Sequence, residues 1–276
     1  MRCKKILIGF GGSWFQTQEI DFVRDYVAVP GSLVIGAIIN DLKGIRIHQS
    51  CGKEKCIANP ACITKKAQRD RAKTANYLKQ AGEEGGFNTI NRYEQGTTLA
   101  KVLQETRFAD LLVMSQQTLR ASQRQLEGKK VSQLLTACEC PVLVVPSQTE
   151  KINQVIITFD GSKEAMQGLK SFLYVLPEIA KGLPVVILAT YQPGQELEAH
   201  AEKLFVEYLK QHFKEVALHR LNPETENTLI RAVGLNEQSL VIVNNSSPKE
   251  LMVLHKALHP ATPEEAPAEL FTHNLR

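Results

Sequence analysis

The chain has 276 residues, 43% of them hydrophobic, with a formal net charge of +4. That length suits two domains of roughly 130–150 residues each, both able to bury a core, and the mild, dispersed charge argues against nucleic acid or an anionic membrane as partner. No apolar run approaches the ~18 residues of a membrane span, and six cysteines with no leader-like stretch point to a reducing, cytoplasmic setting.

In chain order, Lys5–Gly11 is an apolar run of strand length entering a Gly-Gly-Ser turn. A short helix is expected over Phe15–Tyr26, and a second strand runs from Ser32 to Asn40. Ala67, Ala72, Ala75 and Leu78 mark a helix over Lys65–Ala81, stopped by Gly82 and the Gly85-Gly86 pair. Thr89–Tyr93 is a weak strand and Thr98–Arg107 a helix with Leu99, Val102 and Leu103 together. Leu111–Met114 is a buried-type strand; the polar Ser115–Glu127 reads as a long loop, followed by a helix and the strand Pro141–Val145.

The second half repeats the first. Lys5–Ser13 aligns with Gln154–Ser162, Ser32–Asn40 with Leu183–Tyr191, and Leu111–Ser115 with Leu240–Asn244. Ser162 is an N-cap for a helix reaching Leu176, and Glu196–Lys214 is the most regular helix. Asn222-Pro223 and Ser247–Glu250 are further helix starts. Strand and helix alternating at this spacing predict right-handed crossovers and parallel sheets covered on both faces. The offset between halves is about 150 residues at the first two strands and about 130 at the fourth. An insertion of roughly 20 residues in the first half accounts for the difference, placed at Ile45–Gln68. After Pro260 the chain is rich in Pro, Ala and Glu, so the second half is expected to lack a clear fifth strand, unless Glu269–Thr272 is its remnant.

The stretch from Ala109 to Pro146 resembles the C-terminal part of a universal stress protein domain. That family carries G-x2-G-x9-G-[ST] after its fourth strand and a Pro-Val-rich fifth strand. Here Ser115, Thr118, Gly128 and Lys129 take the four motif positions, and Cys140-Pro141-Val142-Leu143-Val144-Val145 takes the closing strand. Gly128 alone matches the motif. The resemblance extends over nearly the whole chain and implies two tandem, doubly wound α/β domains of the adenine nucleotide alpha hydrolase-like type, at 1–148 and 149–276. It also implies an ATP site: an acid ending the first strand, and a glycine loop whose backbone N–H groups approach the phosphates. The second half keeps the acid, in Asp160-Gly161-Ser162, but its loop reads Asn244-Asn245-Ser246-Ser247. The first half keeps Gly128 and Lys129 but has Gly11 in place of the acid. Equally, Asp160 can simply cap the helix that follows it. With neither set complete, the expectation is a stress-response or regulatory module that is no enzyme and no strong ATP binder, acting on an unidentified protein partner. An ATP-binding or slowly hydrolysing switch is the alternative.

Two other groups bear chemistry. His48, Cys51, Cys56 and Cys62 bring soft ligands into the insertion, where zinc, a redox-responsive thiol pair beside Lys53, Lys55, Lys65 and Lys66, or ordinary free thiols are the readings. Gly9-Phe10-Gly11-Gly12-Ser13 is a partial dinucleotide fingerprint, read as a tight turn. No G-x-S-x-G or H-E-x-x-H is present. The resemblance further implies that fifth strands pair across an interface. Val142–Val145, with no evident partner strand in the second half, predicts a homodimer through that edge.

Overall fold

The computed structural model describes residues 2–11, 15, 17–39, 60–97, 99–119, 135, 137–145, 151–189, 199–220, 238–244 and 269–273. The chain forms two compact units, Met1–Leu134 and Leu135–Arg276.

The first unit begins with β1 (Lys5–Gly11), then α1 (Gln18–Phe22), which widens into a π-helical turn at Val23–Val27. It continues through β2 (Leu33–Ile39), α2 (Pro60–Gly85), β3 (Asn88–Thr97), α3 (Leu99–Thr106) and β4 (Leu111–Ser115). The strands lie in the order β3-β2-β1-β4, all parallel. Ile6, Ile8, Val34, Ile35, Leu111 and Val113 are fully buried, as expected where both faces of a parallel sheet are covered and strands read as continuous apolar runs. Gly36 in β2 makes room for the overlying helix: a Cβ there would sit 2.8 Å from the Leu78 side chain of α2 and 3.1 Å from the Phe10 ring.

The second unit holds β5 (Val142–Val145), β6 (Gln154–Phe159), α4 (Lys163–Val175), α5 (Pro177–Gly182) and β7 (Val185–Ala189). It ends with α6 (Ala199–Lys210), β8 (Val216–Arg220), β9 (Ser239–Asn244) and β10 (Glu269–His273). Its strand order is β5-β10-β9-β6-β7-β8. Pairing is parallel except between β5 and β10, where Leu270, Phe271 and Thr272 face Val144, Leu143 and Val142 in antiparallel register.

Several expectations change. The tail carries a fifth strand at the Glu269–Thr272 stretch named as its possible remnant: β10 pairs in parallel with all of Leu240–Asn244 on one side and with β5 on the other. Two flanking ladders satisfy its backbone, which a short Glu-Leu-Phe-Thr-His run would not manage alone. On its β10 side, Val142–Val145 is paired within the chain. Residues 116–119, read as loop, are helical. The second helix starts at Pro60, so its first turns fall inside the segment read as an insertion. The helices expected after Asn222 and Ser247 lie outside the described residues.

Candidate functional site at the carboxyl ends of the strands

In each unit the chain leaves a central strand, builds outward on one side, and returns to the other. In the first unit the reversal falls between β1 and β4, and in the second between β6 and β9. Loops diverge at such a point and leave a crevice beyond the carboxyl ends of the strands, the place where open α/β sheets bind ligands.

In the first unit this point is filled with the chain's own oxygens. Ser115 ends β4, and its Oγ accepts the Thr118 N–H at 3.1 Å, capping the helical residues that follow. The same hydroxyl donates to Thr118 Oγ1 at 2.9 Å. Thr118 Oγ1 also accepts the Gly11 N–H, at the end of β1, at 3.1 Å. The Ser115 N–H donates to Glu19 Oε1 at 3.0 Å. Three backbone N–H groups therefore end on side-chain oxygens. All of these side chains are sealed from solvent: Glu19 and Thr118 are 0% exposed and Ser115 is 3% exposed. The neighbouring Gln116, 5% exposed, has a buried amide nitrogen with no hydrogen-bond acceptor among the described residues.

Glu19 was not among the residues singled out from the sequence. It lies in the first turn of α1 and points inward. Burial raises its pKa above the ordinary carboxylate value, and hydrogen bonds from its own backbone and from the Ser115 hydroxyl and N–H offset that rise only in part. A signal was available. Glu19 precedes Val23 by four residues and adjoins Ile20, both fully buried, so helical periodicity already put it on the apolar face. Asp21, on the outer side, instead accepts from the Tyr77 hydroxyl at 2.7 Å.

The second unit is built differently. Gly161 adopts φ +85°, a left-handed conformation that glycine takes without strain. Asp160 Oδ1 accepts the Ser162 N–H at 2.9 Å, and Ser162 Oγ accepts the Ala165 N–H at 3.0 Å. The acid thus orders the turn that starts α4. Of Asn244-Asn245-Ser246-Ser247, Asn244 alone is described, at the end of β9.

Gly128 and Lys129 lie outside the described residues, as do His48, Cys51 and Cys56. Cys62 falls in α2, with its side chain likewise outside the description. The structure therefore brings together Ser115 and Thr118, adds Glu19, and keeps Asp160 with Gly161 at the matching point of the second unit. Among the described residues no group of three or more His, Cys, Asp or Glu side chains is placed to hold a metal. Cys138 and Cys140 are buried, and burial pushes the Cys138 thiol up to about 12. A thiolate there is strongly disfavoured near neutral pH.

No family model and no curated protein matches the sequence. Solved structures do match it. A universal stress protein from Archaeoglobus fulgidus DSM 4304 superposes with a TM-score of 0.58 at 13% identity, covering 98% of this chain and 96% of that one. A putative universal stress protein from Pseudomonas aeruginosa UCBPP-PA14 gives 0.54 at 10% identity, covering 99% and 93%. A functionally unknown protein from Pseudomonas aeruginosa PAO1 gives 0.55 at 10% identity, covering 99% and 92%.

The fold is that of universal stress proteins. Coverage on both sides is nearly complete, so the likeness takes in both units rather than one. At these identities it speaks for architecture, and what the universal stress protein fold does in this chain rests on its own residues. Among the described residues, no helix is long and apolar enough to cross a membrane.

Proposed function

We propose that this chain is a tandem universal stress protein-type module, cytoplasmic and regulatory, that works through a protein partner rather than through a strongly held nucleotide. The observation that carries this reading is the set of oxygens between β1 and β4. A triphosphate needs backbone N–H groups free to face it and room for its oxygens. In the first unit the N–H groups of Gly11, Ser115 and Thr118 already donate to Thr118, Glu19 and Ser115. The Glu19 carboxyl group stands among them. The described residues of that unit do not fit a phosphate chain, since each such contact would first break an internal hydrogen bond in a sealed site. In the second unit, Asp160 keeps the identity of the acid that the resemblance implies but is engaged with the turn.

Titration calorimetry with ATP and magnesium on the whole protein tests the reading. A dissociation constant weaker than about 1 mM, worth only about 4 kcal/mol, is the expected outcome. Micromolar binding would overturn it and favour the nucleotide switch.

A further inference from the structure

We propose that Glu19 is an internal occupant of the first unit's crevice: its carboxylate fills the place of an external small oxyanion, and the crevice accepts such an anion once that side chain is shortened. This rests on the reading above and extends it from a site that has lost its ligand to one that carries a substitute. The carboxylate comes from α1, reaches the end of β4, and takes the Ser115 N–H at 3.0 Å. It is fully buried at the topological reversal of the sheet, where such folds bind ligands. An isolated carboxylate is costly to bury in an apolar core. It is tolerable here because the crevice already offers hydrogen-bond donors. The Ser115 and Thr118 hydroxyls are tied to one another and to the Gly11 N–H as well as, through Ser115, to Glu19, so part of their network stays in place when that side chain is shortened. Removing the side chain beyond Cα would therefore leave a preformed hole with a Ser115 N–H facing it. Formate or acetate reproduces the missing carboxylate, and inorganic phosphate is the larger probe of the same chemistry.

The test is chemical rescue of Glu19→Gly in the full chain. Thermal unfolding and amide exchange at Ser115 are read in chloride, formate, acetate and phosphate at matched ionic strength, against the parent. Formate is expected to raise the variant's midpoint in a saturable way and restore Ser115 protection at least tenfold, with no effect on the parent. Rescue by formate and not by phosphate would mean the hole is carboxylate-sized; rescue by both would mean it admits the wider class. Equal responses of variant and parent, or none in the variant, would overturn the proposal. If Glu19→Gly does not fold in any of the four buffers, Glu19→Gln decides. Its amide oxygen can accept from Ser115, so it must fold, keep Ser115 protected and ignore formate; loss of that protection would overturn the proposal. Neither result depends on ATP binding to the parent, so this inference and the functional reading can fail separately.

Discussion

Shortening Glu19 and neutralising it should have opposite consequences, and the contrast isolates what its carboxylate does. Glu19→Ala leaves the Ser115 N–H buried without its acceptor, which costs about 1–3 kcal/mol. The vacated volume in a sealed site adds about 1–2 kcal/mol, giving a loss of about 2–5 kcal/mol in all. Glu19→Gln keeps the size and an oxygen for Ser115 while removing the ionisation that burial penalises. It should be at least as stable as the parent at neutral pH. The pH dependence has a definite sign. Burial raises the folded pKa above 4.5, so above that value the unfolded chain loses its proton before the folded one does. The stability contributed by the protonated group is fully present below 4.5 and is lost as pH rises through the folded pKa. Amide exchange across Leu111–Ser115 in urea titrations reports on the first unit. The parent should lose stability relative to Glu19→Gln as pH rises from 4.5 toward neutrality. Parallel profiles for the two proteins, or equal midpoints for Glu19→Ala and Glu19→Gln at neutral pH, would refute the reasoning.

Thr118→Val keeps the shape of the side chain but strips the acceptor from the Gly11 N–H; a loss of about 1–3 kcal/mol, read by the same amide exchange, is expected. Gly36→Ala pushes a methyl to 2.8 Å from Leu78; because the obstructing atom ends a flexible side chain, the cost should stay near 1–2 kcal/mol, and a neutral result would mean that α2 shifts freely on the sheet. Ser162→Ala removes the cap on Ala165 and should cost about 1 kcal/mol in the second unit, measured by amide exchange across Lys163–Val175.

The amino-acid order by itself determined the architecture. Apolar runs such as Ile6–Phe10 and Leu111–Met114, alternating with helical periods, fit strands buried on both faces, and the structure places them so. It also determined local devices whose partners are close in sequence, such as the Ser162 cap three residues from Ala165. Ser115 and Thr118 were picked out by motif spacing, although what they do there depends on Gly11 and Glu19, about a hundred residues away.

Tertiary structure decided what long-range pairing and burial control. The helical start at residues 116–119 follows from a hydroxyl cap in a polar stretch that periodicity alone reads as loop. β10 exists because β9 and β5 offer it two ladders; the sequence could mark Glu269–Thr272 as a strand remnant but not the two partners that decide it. Glu19 reads as one more acid near a helix start until the sheet closes over it. A polar side chain's role depends on which donors meet it after folding, and periodicity can place it on a face without naming the group it meets there.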